Sequence, residues 1–378
     1  MAIANPDYFR YFCANSMKPG LIEKLERIRK NPASHEFILA DARDADMAWG
    51  VPSPGKIYPP PAGGERFRTM PEFYEQIRAI ARQGIVDIML ASISTMSLLA
   101  HRERLFDGSE VTPAVRINDT SDVWCPRGGR YREYPSLPFA SGFIEEAQFG
   151  SLGSLFADPS DAGAQGRVLK GSAEPRGEPV VNLGLYSVTF NNQAVADRES
   201  LQAFKDFRAE AQRKGFHYFL EVFAPNVEAG LRPEEIPAFV NDNVCRMLAG
   251  VPLVARPVFL KIPYFGPRAL EEMVTYDPSV IVGVLGGGSG TTYDAFKLLA
   301  DAQTHGARVA LFGRKIKEAE DPLVFIAFLR RIVNGEITAE EAVKAYHGEL
   351  QAKRIPPRRP LADDLKLTGA ALSYGETR

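Results

Sequence analysis

From about residue 35 the chain alternates short apolar runs with amphipathic segments. Apolar runs bounded by polar or turn-forming residues are typical of buried strands in a parallel sheet. The pattern predicts eight strands: Phe37–Ala40, Val86–Leu90, Ala114–Ile117, Val180–Val188, Tyr218–Val222, Val258–Ile262, Val280–Leu285 and Val309–Phe312.

The segments between these runs have apolar residues every three or four positions, as one face of a helix requires. The predicted helices are Pro71–Gln83, Arg198–Lys214, Pro233–Leu248, Gly266–Thr275, Thr292–Thr304 and Pro322–Val333. Eight strand–helix units in succession favour a closed (β/α)8 TIM barrel of the α/β class. An open doubly wound sheet is the alternative.

The barrel is expected to occupy residues 35–335, with helical extensions at residues 1–34 and 336–378. Residues 119–179, after the third strand, are rich in Gly, Pro, Arg and Ser and contain one helix candidate, Phe143–Phe149. An insertion there leaves the C-terminal end of a strand, so we expect it on the active-site face, as a lid or an oligomer contact.

Charge and cysteine content narrow the class of protein. The 45 basic and 47 acidic residues are well mixed and give a net charge of −2, which indicates neither a nucleic-acid partner nor a basic one. Three cysteines without CxxC spacing favour a reducing compartment, and no signal peptide or membrane-spanning stretch is evident. We expect a cytoplasmic enzyme that forms a homo-oligomer.

Lys261 lies in the otherwise apolar segment Pro257–Tyr264. Such a lysine reaches water, meets a partner or has its pKa lowered by desolvation. A neutral lysine amine can attack a ketone or aldehyde and form a Schiff base. Alternation along the sixth strand places Lys261 at the inward, C-terminal position, where barrels have their active sites. A solvent-seeking lysine or a structural ion pair is the alternative interpretation.

Other polar residues are expected near Lys261. The same alternation turns Glu221 inward at the end of the fifth strand, and neighbouring strands lie about 4.8 Å apart, so the two side chains should meet. On the first strand the pattern predicts Asp41 at the inward tip. Tyr186, late in the fourth strand, and Tyr264 are further candidates for proton transfer.

Two loops predict an anion site. A glycine-rich segment, Gly286–Thr292 (the glycine loop), follows the seventh strand and precedes a helix whose N-terminal dipole favours anions. Thr291 with Asp294 is predicted to cap that helix. A turn of Gly313, Arg314 and Lys315 follows the eighth strand. The loops after the seventh and eighth strands of a barrel often bind phosphate. A flexible glycine turn with solvated cations is the alternative. The predicted binding residues for a phosphate or sulfonate are Gly287, Gly288, Ser289, Gly313 and Arg314. HxH, HExxH and Cys–His patterns are absent, so metal-dependent aldol chemistry has little support. We expect no cofactor.

Three segments of the chain resemble the class I (Schiff-base) aldolase superfamily, including the archaeal-type fructose-bisphosphate, tagatose-bisphosphate and deoxyribose-phosphate aldolases: Phe259–Pro263, Val282–Ser289 and Ala307–Arg314. The first-strand segment Leu39–Arg43 resembles the acidic strand tip of the tagatose-bisphosphate branch. The resemblance covers the second half of the barrel well and the first half by strand alternation, and the insertion departs from it. It implies a Schiff-base lysine on the sixth strand and phosphate binding at the last two strand ends.

The resulting hypothesis is an aldolase or transaldolase that cleaves or forms a C–C bond of a phosphorylated, or otherwise anionic, keto sugar. Lys261 forms the Schiff base, Glu221 moves protons, and Tyr186 or Asp41 handles the substrate hydroxyl. Three alternatives remain: an FMN-dependent oxidoreductase barrel, a lyase or isomerase that uses Lys261 as a non-covalent base, and a sugar-phosphate-binding barrel without catalysis.

Overall fold

Residues 17–32, 34–152, 177–288, 290–369 and 372 are described in a computed structural model of the protein. Eight parallel strands form a closed barrel, in which each strand pairs with the next in sequence and the last pairs with the first. The prediction of a (β/α)8 barrel is therefore confirmed. The barrel strands are β1 (Ile38–Arg43), β2 (Ile88–Ala91), β3 (Thr112–Arg116), β4 (Leu183–Thr189), β5 (His217–Phe223), β6 (Leu260–Ile262), β7 (Val282–Leu285) and β8 (Val309–Phe312).

Helices surround the barrel and extend it at both ends of the described chain. They are α1 (Pro19–Lys30), α2 (Asp46–Trp49), α3 (Met70–Gln83), α4 (Ile93–Met96), α5 (Ile144–Phe149), α6 (Ala194–Arg213), α7 (Ile236–Ala249), α8 (Pro267–Tyr276), α9 (Thr292–Thr304), α10 (Arg314–Glu318), α11 (Pro322–Val333), α12 (Ala339–Ala352) and α13 (Leu361–Asp364). The predicted helices all form, with ends within four residues of the predicted ones. Within the described parts of the chain, no helix combines the length and apolar composition that crossing a membrane requires.

The apolar core has two layers, because alternate strand residues point into the barrel and outward to the helices. Ile38, Ala40 and Phe259 belong to the inner layer, which also contains Leu21 and Leu25 of α1. Helix α1 thus closes the N-terminal end of the barrel, and the C-terminal ends of the strands stay available for a site.

The described part of the insertion begins with a short antiparallel ribbon, in which Asp119–Thr120 pairs with Pro138–Phe139. Its backbone meets the loop after β1, where the Cys125 amide donates to the Ala48 carbonyl at 2.8 Å. Asn226, after β5, donates to the Arg132 carbonyl at 2.9 Å. The insertion therefore lies at the C-terminal ends of the strands, as expected; residues 153–176 of it are outside the described chain.

The C-terminal extension packs against the second half of the barrel. Helix α12 contacts α9 and α11, and its Tyr346 is fully buried. The segment that follows α12 returns to the loop after β7, where the Asp364 carboxylate accepts from the Thr292 amide at 2.7 Å. The extension is thus connected to the end of the barrel where the predicted site lies.

Candidate functional site

Lys261 and Glu221 meet at the C-terminal end of the barrel, as their strand positions predict. The two residues are paired directly in the register of β5 and β6, and Lys261 Nζ lies 2.5 Å from Glu221 Oε1. Lys261 is 6% exposed and Glu221 is 1% exposed. Beneath them Phe219 and Phe259 stack with ring centroids 4.6 Å apart and separate the ion pair from the lower core. A lysine and a carboxylate are therefore in proton-transfer contact at the mouth of the barrel.

The second oxygen of Glu221 is held by Ser187, which the sequence reasoning missed. Ser187 Oγ donates to Glu221 Oε2 at 2.7 Å and accepts from Arg116 Nη2 at 3.1 Å. Asn118 fixes the Ser187 backbone, since its Oδ1 accepts from the Ser187 amide at 2.6 Å and its Nδ2 donates to the Ser187 carbonyl at 2.9 Å. The orientation of Glu221 towards Lys261 is thus determined by neighbouring strands.

Arg116, at the end of β3, joins three carboxylates. Its Nη1 lies 2.7 Å from Asp44 Oδ2, its Nε 2.7 Å from Asp119 Oδ1, and its Nη2 3.7 Å from Glu221 Oε2. Burial opposes the charge of Arg116, but the three carboxylates outweigh burial and raise the pKa of the guanidinium above its ordinary value. Arg116 is therefore a permanent cation in the site, and the sequence reasoning did not select it.

The pKa values of Asp44 and Asp119 are shifted in opposite directions. Burial disfavours ionisation of Asp44, yet Arg116 and Lys261 outweigh burial and lower the pKa of this carboxyl. At Asp119 burial prevails over Arg116, with further repulsion from Asp44 and Glu221, and raises the pKa to about 6. Asp44 is thus an ionised carboxylate close enough to sense Lys261, whereas Asp119 titrates nearer to neutrality.

The prediction that Asp41 occupies the inward tip of β1 is wrong. Ile38, Ala40 and Ala42 face the inner layer, so Asp41 and Arg43 point outward to α3. Arg43 Nε lies 2.9 and 2.7 Å from the two oxygens of Asp41, and the Arg43 guanidinium lies 5.8 Å from the ring of Phe73. Burial raises the pKa of Asp41 more than Arg43 lowers it. The carboxylate that reaches the site from β1 is Asp44, in the loop beyond the strand.

The predicted proton-transfer role of Tyr186 is also incompatible with its position. Its ring stacks on Phe207 of α6 with centroids 4.3 Å apart, in the layer between strands and helices, and burial raises the pKa of its hydroxyl. Tyr264 is buried in the same outer apolar layer. The inward residue near the end of β4 is Ser187, which shares its face with Leu183 and Leu185.

The loops after β7 and β8 come together, as the anion-site prediction requires. The Gly286 amide donates to the Leu311 carbonyl at 2.7 Å, and Arg314 Nη2 donates to the Gly287 carbonyl at 3.5 Å. A Cβ on Gly286 would lie 2.6 Å from that Leu311 oxygen, and Gly287 has a φ of +71°, so glycine is favoured at both positions. Of the predicted binding residues, the structure brings together Gly287, Gly288, Gly313 and Arg314, while Ser289 lies outside the described residues.

The amides at the start of α9 are already occupied. Thr291 and Asp294 form the predicted capping pair: the Thr291 amide donates to Asp294 Oδ2 at 2.9 Å, and the Asp294 amide donates to Thr291 Oγ1 at 3.0 Å. Asp364 accepts from the Thr292 amide. An anion at this end of the barrel would therefore depend on the glycine loop and nearby cations more than on these helix amides.

The residues near Lys261 suit acid–base and amine chemistry. Over the described ranges, histidine, cysteine, aspartate and glutamate side chains do not form a group of three or more that could hold a metal ion.

Comparisons with known proteins find similarity in the fold and not in the sequence. No protein-family model matches the sequence, and no curated protein gives a significant match. Among solved structures, an archaeal fructose 1,6-bisphosphate aldolase aligns with a TM-score of 0.53 at 18% identity, over 82% of this chain and 99% of that chain. A Schiff-base-forming fructose-1,6-bisphosphate aldolase, studied for its reaction intermediates, has a TM-score of 0.54 with the same identity and coverage. An archaeal fructose-1,6-bisphosphate aldolase whose catalytic lysine is covalently bound to a carbinolamine intermediate has a TM-score of 0.51, again at 18% identity and over the same shares of both chains. At this identity, the likeness establishes the barrel fold that this chain shares with these aldolases.

Proposed function

We propose that this protein is a Schiff-base aldolase or transaldolase that cleaves or forms a C–C bond of a phosphorylated, or otherwise anionic, keto sugar. The contact between Lys261 and Glu221, at the mouth of a barrel of the same fold as Schiff-base aldolases, carries the proposal. An amine beside a carboxylate can both attack a carbonyl and exchange the protons that imine formation requires.

In the first stage Lys261 Nζ passes a proton to Glu221 and attacks the carbonyl carbon of the substrate. The new C–N bond and a proton on the former carbonyl oxygen give a carbinolamine. Proton return through Glu221 then allows water to leave, and a protonated imine remains on Lys261. Ser187 and Arg116 keep Glu221 oriented during these transfers.

In the second stage the imine accepts the electron pair of the breaking C–C bond. A base removes the proton of the substrate hydroxyl on the departing carbon, which leaves as an aldehyde, and an enamine stays on Lys261. Asp44 takes the role of this base in the proposal, because its ion pair with Arg116 and the charge of Lys261 keep it ionised. Protonation of the enamine carbon and hydrolysis of the imine release the second product and regenerate the amine.

The anionic end of the substrate would bind at Gly287, Gly288, Gly313 and Arg314, with Ser289 a further predicted contact. Fixing one end of the substrate there presents its carbonyl to Lys261 and reduces the entropic cost of the attack. This role rests on the convergence of the two loops and on the exposed Arg314 guanidinium.

Borohydride reduction tests the proposal directly. The full-length protein is incubated with dihydroxyacetone phosphate, pyruvate or a simple aldehyde, reduced, digested and mapped by mass spectrometry. We expect an adduct on the peptide that contains Lys261, and no adduct in Lys261→Arg. Lys317 is a matched internal control. It is 6% exposed, like Lys261, but its Nζ donates to the Ser53 carbonyl at 2.8 Å and forms no ion pair with a described carboxylate that could exchange protons with it, so its peptide should carry no adduct. Absence of an adduct on Lys261 with every carbonyl compound would refute Schiff-base catalysis.

A further inference from the structure

Three cations converge on the glycine loop after β7, and one of them comes from the C-terminal segment. Arg314 Nη2 donates to the Gly287 carbonyl, Lys315 Nζ donates to the Gly290 carbonyl, and Arg359 Nη1 donates to the same Gly290 oxygen at 3.5 Å. Their acceptors are neutral carbonyls, and none of the three forms an ion pair with another described residue. The three side chains therefore lack a direct ion-pair partner among the described residues, although the carboxylates of Asp294 and Asp364 bind amides at the end of the same loop.

The position of Arg359 is fixed by anchors on both sides of it. Before it, α12 is buried against α9 and α11. After it, Asp364 binds the Thr292 amide and lies 2.9 Å from His347 Nε2, and Asp294 accepts from the Thr368 amide at 2.8 Å. The segment between α12 and α13 is therefore held across the loop, and Arg359 is kept close to it by the fold.

We propose that Arg359 acts with Arg314 as a specificity-determining residue that binds the anionic group of the substrate over the glycine loop. The C-terminal segment is then part of the substrate site. The ligand class is a phosphate monoester, which is a dianion above neutral pH, or a sulfonate, which is a monoanion, since two guanidinium groups suit a tetrahedral oxyanion. The assignment of this anion to a keto substrate rests on the proposed function, whereas anion binding by Arg359 does not.

The electrostatics of Lys315 support this assignment and supply a distinctive readout. Burial, together with the charge of Arg359, lowers the pKa of Lys315 to about 8, against the carboxylates of Asp364, Glu320 and Asp294, which raise it. Lys315 is therefore a cation below about pH 8 and loses its charge as the pH rises through that value. A dianion bound here would relieve the repulsion between Lys315 and Arg359.

Sulfate binding to the full-length protein, measured by calorimetry, tests the proposal, because the charge of sulfate is constant over the useful pH range. We expect Arg359→Gln to weaken sulfate binding about tenfold or more, as loss of a charge-assisted hydrogen bond would, and Arg359→Lys to restore part of the affinity. Arg246→Gln, at an exposed arginine on α7 away from the loop, should bind like the wild type. Thermal unfolding of each variant verifies that it is folded.

The pH profile separates a binding role from a structural one. In the wild type, sulfate affinity should fall as the pH rises through about 8. In Arg359→Gln the fall should move to higher pH, because the charge of Arg359 no longer lowers the pKa of Lys315. Unchanged affinity and an unchanged midpoint in Arg359→Gln would overturn the proposal, as would a wild-type protein that does not bind sulfate. Sulfate binding that depends on Arg359, without a borohydride adduct on Lys261, would refute only Schiff-base catalysis. An adduct on Lys261, without sulfate binding that depends on Arg359, would refute only anion binding by Arg359.

Discussion

The chemistry proposed here depends most directly on Glu221, since one of its oxygens contacts Lys261 and the other accepts from Ser187. Replacement by glutamine keeps the shape and removes the proton acceptor. We expect Glu221→Gln to slow adduct formation on Lys261 by about 10²–10⁴-fold, the range usual for loss of general acid–base catalysis. Timed borohydride quenching with mass spectrometry measures this rate.

Glu340→Gln is the matched control, because Glu340 also pairs with a lysine, Lys344, but on the exposed face of α12. It should form the adduct at the wild-type rate. Sulfate affinity should change in neither variant, since Glu221 lies on β5 and Glu340 on the exposed face of α12, and neither belongs to the glycine loop or to the cations around it. Adduct formation at an undiminished rate in a folded Glu221→Gln would remove Glu221 from the proposed proton transfer.

At the level of strands, the apolar runs located all eight barrel strands but did not determine which face each residue occupies. Both faces of a barrel strand are buried, so residues 37–40 are apolar without alternation, and nothing in them distinguishes inside from outside. Lys261 and Glu221 were placed correctly because each is a charge near the C-terminal end of an otherwise apolar strand, and the alternation counted along that strand turned it inward. Asp41 was misplaced because Arg43, two positions later, makes an outward carboxylate tolerable, and β1 continues three residues beyond its predicted end.

The Asp41 side chain points outward from β1 and pairs with Arg43, and this buried pair leads to a prediction about stability. In Arg43→Met the Asp41 carboxylate is left buried without its partner, and we expect the free energy of unfolding to fall by about 3–5 kcal/mol. In the double variant Asp41→Leu/Arg43→Met both charges are gone, and most of that loss should be recovered. Urea denaturation measures all three proteins.

The double variant also tests the location of the site. Because Asp41 faces α3 and not Lys261, a folded double variant should still form the borohydride adduct at the wild-type rate. If this variant keeps its urea transition but no longer forms the adduct, Asp41 takes part in catalysis after all. That result would contradict the assignment of Asp44 as the carboxylate that reaches the site from β1.

Across the whole molecule, the parts that the sequence did not reveal are those that depend on contacts between distant segments. Arg359 and Gly290, or Asp364 and Thr292, meet only after the barrel has closed and α12 has packed. Ser187 and Arg116 join Glu221 through the strand register, and no local pattern encodes that register. Short apolar runs and glycine turns are local signals, so the barrel and the paired loops were predictable, whereas the role of the C-terminal segment was not.

The C-terminal extension should also unfold together with the barrel, because its main helix completes the apolar layer over α9 and α11. Tyr346 packs edge-on against Phe325, with ring centroids 5.8 Å apart, and its hydroxyl donates to Glu320 Oε2 at 3.0 Å. We expect Tyr346→Ala to lower the free energy of unfolding by about 3–5 kcal/mol, as truncation of a buried aromatic ring does. Val195→Ala, at a 65% exposed position, should change it by no more than about 0.5 kcal/mol.

Two probes show whether that loss is shared by the whole chain. Far-UV circular dichroism follows all helices, while the fluorescence of Trp49 and Trp124 follows the loops after β1 and β3, at the mouth of the barrel. If α12 and the barrel form one cooperative unit, both signals should move to the same lower denaturant concentration in Tyr346→Ala. A helical transition that precedes an unchanged tryptophan transition would show that α12 unfolds by itself. Because α12 anchors the segment that carries Arg359, that outcome would also predict weaker sulfate binding at denaturant concentrations where the barrel is still folded.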